Sequence, residues 1–473
     1  MSLFQKKGIN RNIDWATFSL YLGLVMIGGI TIYSVGYVKG QALFELSTPG
    51  GKQMIWALIS FVALGVIILI DWKFWQTFAY PFYGLTLLSL VAVLLFGVEI
   101  KGQVSWFTIG GSTIQPSEFA KFGTILAMAA YLSSATANLR NLNSQLICFA
   151  LMFAPIVLIL LQPDLGSAIV FLSFFIVLYR EGLSSGYYLL GIAVITFFIL
   201  GVIVEVHQLI WIGLAASGAL WLGSILFKKT PLYIGVVGLA GLTLWYLARM
   251  EYFDVKIILL LAVALFAGLG IYYTIQQSIR FPALLLATLV FCGVIANASN
   301  YIYYNNVLPS HQISRIKVWL HPQDADPLNE MYNLNQAQMA ISSGRLTGKG
   351  LLEEATMTRL NYVPEQSTDF ILSAIGEEQG FVGIATVIIL FLIFMLRIVF
   401  LAERQRSTFS RIYAYSFAGI IFIHVFVNVG MTLGLAPVVG IPLPFISKGG
   451  SSLLSFTIML GVLLKLDSNR FKI

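Results

Sequence analysis

Residues 360–383 read LNYVPEQSTDFILSAIGEEQGFVG, and from Phe381 the chain continues as FVGIATVIILFLIFMLRIVF. The change of character across this stretch decides the fold. An apolar run of about 20 residues is long enough to cross a bilayer as a helix. The segment it closes, residues 305–380, is the long polar part of the chain. Glu365, Asp369, Glu377 and Glu378 lie close together here, beside Arg359. A carboxylate in such a place can act as a base, hold a cation or solvate a helix end.

Outward from this point almost everything reads as lipid-spanning helix. The chain has 473 residues, of which 58% are hydrophobic and 10% charged. Soluble domains carry about 25% charged residues, so this composition excludes a soluble enzyme. The net charge of +7 does not point to nucleic acid. Its basic residues cluster in short loops between apolar runs, which is the pattern of a membrane protein's cytoplasmic side. Cys148 and Cys292 both lie in apolar runs and read as packing residues. His207, His311, His321 and His424 are scattered without metal-motif spacing. Lys6, Lys7 and Arg11 precede the first apolar run, which reads as a signal-anchor helix.

About 14 spans are expected, so the fold class is an all-α integral membrane protein, a polytopic bundle with a large extracytoplasmic loop. They fall near 15–36, 53–71, 78–97, 117–133, 144–162, 164–180, 186–205, 208–227, 231–249, 255–275, 280–304, 381–401, 411–435 and 446–466. The Lys/Arg imbalance between alternate loops places both termini inside, and the 98–116 and 305–380 loops outside. The spans near 117–133 and 164–180 are short and carry polar residues, which suits a cavity wall rather than a lipid face.

Three polar features accompany the long loop. The first is WFTIGGSTIQPSEFAK, 106–121, with Pro116 in the first turn of a helix and Glu118 and Lys121 three apart on one face. That spacing fits a simple intrahelical ion pair. It also fits a cation, Lys121, that meets an anionic substrate while Glu118 holds it. The second is QPDLG, 162–166, in which Asp164 is either a helix N-cap or a functional acid at membrane depth. The third is GLAPVVGIPLPFISKGGSS, 434–452, whose prolines and glycines forbid a regular helix. It is either a cavity lining or an external hairpin. In the long loop, Met331 to Ser343 is expected to form a surface helix with Met331, Leu334, Met339 and Ile341 apolar. SGRLTGKGL, 343–351, carries Arg345 and Lys349 but lacks P-loop spacing, so it is not read as an ATP site.

QPSEFAK (115–121), QPDLG (162–166), the DPL to GKG run (326–350), VPEQSTDFI (363–371), IGEEQGFVG (375–383) and VNVGMTLGLAPVVGIPLPFISKGGSS (427–452) occur in this order. Together they resemble the SEDS family (shape, elongation, division and sporulation), polytopic peptidoglycan glycosyltransferases that polymerise lipid II. Gln162 resembles the RodA elongation branch; the division branch usually has Glu there. The resemblance implies Asp369 as the catalytic base. It implies substrate-binding roles for Trp106, Glu118, Lys121 and Asp164, and Arg345, Lys349 and Lys448 are added as candidate phosphate cations. It implies a core of ten helices, divided here as 1–185 and 280–473, with four extra helices in 186–279. The family usually has Arg before the first-loop Trp, where this chain has Ser105, and Tyr where this chain has Lys448.

A divalent cation, Mg or Mn, is the candidate cofactor; no nucleotide or organic cofactor is expected, and metal ligands are unassigned. The expected partners are lipid II, a class B penicillin-binding protein, the elongation machinery and the membrane, with no nucleic acid. The expected location is the bacterial inner membrane. The rival reading is a lipid II flippase or another transporter of lipid-linked precursors. It fits intramembrane acids and lysines but lacks an inverted repeat between halves.

Overall fold

The computed structural model describes residues 13–37, 48–100, 102–109, 112–203, 293–295, 297–303, 310–327, 329, 331–353 and 355–472. The spans expected near 208–227, 231–249 and 255–275 lie outside the described residues, as does most of the span near 280–304. The chain divides into two compact units, residues 1–184 with 325–473, and residues 185–324.

The first unit opens with helices α1 (Trp15–Val35), α2 (Pro49–Leu69), α3 (Trp72–Thr77) and α4 (Ala79–Phe96). Asp14 caps α1 by accepting from the Thr17 amide, and Thr48 caps α2 by accepting from Gly51, with Pro49 in the first turn. Residues 98–114, expected as plain loop, form a small antiparallel meander: β1 (Val98–Ile100), β2 (Gln103–Ile109) and β3 (Ser112–Ile114). Trp106 pairs with Val98, and Phe107 with Ile114. β-branched and aromatic residues in QVSWFTI favour the extended backbone.

Helices α5 (Pro116–Leu132), α6 (Leu142–Leu160), α7 (Leu165–Val170) and α8 (Phe174–Arg180) follow, with one 3₁₀ turn, Phe171–Ser173, between the last two. The span expected near 164–180 is thus broken. Helix α5 is the centre of the unit. Nearly every residue from Pro116 to Ala129 is buried, and α4, α6 and the two C-terminal helices pack around it. That explains its low hydropathy, because protein and not lipid surrounds it.

The second unit contains α9 (Ser185–Ile203) and α10 (Ser310–Leu320). His321 Nε2 lies 3.3 Å from the Val202 carbonyl, and Asn300 donates to that of Gly201. Arg315 and Lys317, two basic residues of the long polar segment, belong to this unit.

The first unit resumes with α11 (Tyr332–Ser343), α12 (Ile371–Glu403), α13 (Thr408–Thr432) and α14 (Gly450–Ser468). Helix α11 forms as expected, but its buried face is Leu334, Ala337 and Ala340, and Met339 is exposed. Small alanines allow α11 to approach α12 closely. Helix α12 starts ten residues before the expected 381, because Glu377 and Glu378 are buried inside it, Glu377 against Lys349 and the Met357 and Thr358 amides and Glu378 with one oxygen on Ser34. Seven helices of the described residues are long and apolar enough to cross a membrane.

One end of the unit is tied by charges. Arg397 reaches both carboxylate oxygens of Asp14, and Arg404 bridges Asp14 to the buried Asp467. Burial alone would raise the Asp14 carboxyl; hydrogen bonds from Arg397 and Thr17, and the Arg397 charge, outweigh it and hold it below the ordinary carboxylate range. A depressed folded-state pKa stabilises above the unfolded value, about 3.9, and the gain is lost as pH falls through the lower folded value. Asp14→Asn keeps the cap but not the charge. It is expected to lower the melting temperature at neutral pH and to flatten its fall below about pH 4. Thermal melts of both proteins in detergent across pH 2–7 check this.

Candidate functional site

The site is built on residues 433–449, which leave α13 and do not become helical until Gly450. This segment is not an external hairpin. Ile441, Leu443, Phe445, Ile446 and Ser447 are all buried. Non-helical backbone inside a membrane protein requires partners for its polar groups, and here they are side chains. Asn428 donates to the Ile441 carbonyl at 2.7 Å, and His424 Nδ1 lies 2.9 Å from that of Pro442. Ser447 closes its own turn by accepting from the Leu443 amide.

Asp369 is docked on this buried segment. The same Asn428 amide donates to the Asp369 carbonyl at 2.9 Å. Ser447 donates to the Thr368 carbonyl, and the Lys448 amide to that of Ser367. Gly440 has φ +75°, and a Cβ there would sit 3.2 Å from Asp369 Oδ2. Glycine therefore serves both the backbone turn and the space for the carboxylate. The Asp369 side chain is half-buried. At the start of α12 the N-cap position is Phe370, not Thr368 or Asp369, and it makes no side-chain cap bond.

The QPDLG turn packs on the opposite flank of the segment. A Cβ at Gly166 would lie 2.6 Å from the Val439 carbonyl. Asp164 does cap α7, through Oδ1 to the Ser167 amide, while its Oδ2 accepts from Gln115 at 2.8 Å. Ser105, the departure next to Trp106, is fully buried and donates to the Gln162 carbonyl. It is a packing contact between the small sheet and this turn. Trp106 itself is half-buried on β2.

Beneath lies a buried charge cluster. Lys121 Nζ is 2.8 Å from Glu118 Oε1, with side-chain exposures of 0% and 3%. The intrahelical pair expected from the spacing is present, but in the interior. Lys121 also contacts His424 Nε2 at 3.1 Å and faces the Phe456 ring. Glu118 Oε2 has no hydrogen-bond partner among the described residues. His424 was not singled out by the sequence. The available signal was its place one helical turn before Asn428 in the apolar α13, a polar stripe at i, i+4 spacing.

The remaining candidates are dispersed. Lys349 is paired with the buried Glu377 at 2.6 Å, and Arg345 is exposed with φ +52°. Arg359 binds the carbonyls of Leu352 and Tyr37. Glu377 also accepts from the Met357 and Thr358 amides. Lys448 directly follows Ser447 and is held to the Asp369 turn by its own amide bond to Ser367; its ammonium makes no hydrogen bond or ion pair among the described residues.

The glycine-rich run has a structural task. Gly380 breaks α12 with φ +67°, ψ −162°. The Lys349 and Gly350 amides then bind the carbonyls of Glu377 and Glu378, while the Phe381 and Val382 amides bind those of Arg345 and Leu346. Residues 345–350 replace the helix bonds that the break removes.

Residues 14–214 and 234–472 match the family described as cell cycle protein, FtsW/RodA/SpoVE. Peptidoglycan glycosyltransferase RodA of Treponema pallidum is 30% identical over 469 residues, 97% of this chain and 98% of that one. Peptidoglycan glycosyltransferase MrdB of Escherichia coli K12 is 27% identical over 467 residues, 97% and 94% of the two chains. Among solved structures, rod shape determining protein RodA of Thermus thermophilus superposes with a TM-score of 0.56 at 21% identity, covering 98% of this chain and 99% of that one. A chain from a study of how a peptidoglycan synthase complex coordinates polymerization and crosslinking gives 0.61 at 23% identity, covering 98% and 100%.

Proposed function

The chain belongs to the FtsW/RodA/SpoVE cell cycle protein family, and from that premise we propose that it is a peptidoglycan glycosyltransferase of the RodA branch, joining lipid II units into glycan strands. The observation that carries the reading is the docking of Asp369 on the buried 439–448 segment, with a buried acid–lysine pair below it.

Polymerisation joins a sugar hydroxyl to an anomeric carbon whose leaving group is undecaprenyl pyrophosphate. Asp369 takes the proton of the attacking 4-hydroxyl, and inversion follows from attack opposite the leaving group. A positioned base supplies about 10²–10⁴-fold. Positive charge for the pyrophosphate comes from Lys448, with Lys121 fixing the field from within. Trp106, Glu118 and Asp164 shape the cavity. Arg345 and Lys349 remain candidate phosphate contacts, Lys349 only at the expense of its bond to Glu377.

Among the described residues no three His, Cys, Asp or Glu side chains stand together as a metal cage. A Mg or Mn ion prefers substrate phosphates with one or two carboxylates, so it would arrive with the pyrophosphate.

The protein is a multi-pass membrane protein. We place its termini in the cytoplasm and the 305–380 loop outside, and the full count at about 14 spans with four extra helices in 186–279. Single cysteines at Thr347 and at Asn141, in a cysteine-free background, check the orientation. An impermeant maleimide is expected to label residue 347 in intact cells and residue 141 only after lysis; the reverse pattern inverts the topology. The likeness to a chain of a synthase complex supports a class B penicillin-binding protein as partner within the elongation machinery.

The test is incubation of purified protein with labelled lipid II, with and without Mg or Mn and the penicillin-binding protein. Polymer supports the reading. Transbilayer movement of lipid II in vesicles without polymer overturns it in favour of a flippase.

A further inference from the structure

His424 is buried in α13 and its two ring nitrogens face different parts of the site. Nε2 lies 3.1 Å from Lys121 Nζ. An ammonium only donates, so Nε2 must accept. The proton then sits on Nδ1 and is donated to the Pro442 carbonyl at 2.9 Å. The two contacts select the same neutral tautomer. An imidazolium would place a second cation against Lys121. The Phe456 ring meets His424 edge to face at 5.0 Å and also underlies Lys121 at 5.1 Å, so the imidazole has a fixed orientation. One turn on, Asn428 binds Ile441 and Asp369. A continuous path of contacts runs from Glu118 through Lys121 and His424 to the 441–442 backbone, and through Asn428 to Asp369.

We propose that His424 is a positioning residue: its neutral imidazole holds the Lys121 ammonium through Nε2 and the buried 439–448 segment through Nδ1, fixing the cation in register with the Asp369 turn. The proposal rests on the glycosyltransferase reading above. The catalytic effect passes through Lys121, so the acceptor contact governs turnover. The donor contact to Pro442 governs folding of the segment.

Two amide substitutions separate the nitrogens. His424→Gln places an acceptor oxygen where Nε2 stood. His424→Asn places a donor where Nδ1 stood and falls short of Lys121. His424→Leu removes both. We expect His424→Gln to keep kcat within about threefold and His424→Asn to lower it about 10- to 100-fold, the worth of one hydrogen bond to a charged group. KM for lipid II stays within about twofold in both, because ground-state binding is untouched. Melting temperatures, taken alongside, are expected to be lower in His424→Gln than in His424→Asn, the opposite order to kcat. Wild type that polymerises while His424→Asn matches its kcat overturns the positioning role alone. So does a loss of kcat that follows melting temperature across the three variants. Wild type that makes no polymer overturns the glycosyltransferase reading and the proposal with it.

Discussion

Asp369→Asn is expected to lower polymer formation from labelled lipid II by about 10²-fold or more, the worth of a positioned base, without moving the melting temperature. Asn preserves size against Gly440, whose absent Cβ makes room for Oδ2. The bond from Asn428 goes to the Asp369 main chain and survives the change. No side-chain cap of α12 is lost, since the N-cap position is Phe370. The substitution therefore removes basicity while keeping the size of the side chain and the main-chain contact. Near-normal polymer would refute the base. Glu365 would then be the first replacement, being exposed on the same turn, where it accepts from Thr368. Glu378 is the second and the weaker, because it is buried against Ser34.

The second large effect belongs to the buried pair. Glu118→Gln leaves the Lys121 ammonium without its anion, and Lys121→Met leaves the Glu118 carboxylate without its cation. Breaking a buried ion pair from one side costs about 3–5 kcal/mol. Each single variant is expected to lose both polymerase activity and several degrees of melting temperature. The double variant discriminates stability from chemistry. Replacing both charges is often close to neutral for folding, so its melting temperature is expected to recover while polymer does not. Recovery of both would reduce the pair to a structural element. Lipid II polymer and a melting curve for all three proteins decide it.

The sequence made these acids and lysines visible by their spacing, but not their depth. Glu118 and Lys121 read as a pair because three residues separate them on a helix. Their burial depends on residues of α13 and α14 such as His424 and Ser455, more than 300 residues away along the chain. His424 illustrates the limit. A lone histidine in an apolar run has no readable role until its partners on α5 and in the 439–448 segment are in place. Asp369 was legible only through its motif, since a turn that precedes an apolar run is equally a capping sequence. Lys349 is a candidate phosphate cation as one of the basic residues of the polar loop. It is paired with Glu377, which lies inside α12 and which a helix start at 381 leaves in the loop. That start followed from avoiding charges in a span of bilayer length. It missed the case in which loop residues neutralise those charges.

The break at Gly380 sets an order of events during synthesis. Residues 345–350 leave the ribosome before Glu377 to Val382. The groups that complete the broken helix are thus already made when the break is synthesised. Without them two carbonyls and two amides would lack partners, each costing about 1–3 kcal/mol where buried. Residues 345–350 and the start of α12 are therefore a single folding unit. An insertion between Ser343 and Leu351 is expected to disturb the start of α12 before any effect on chemistry could appear.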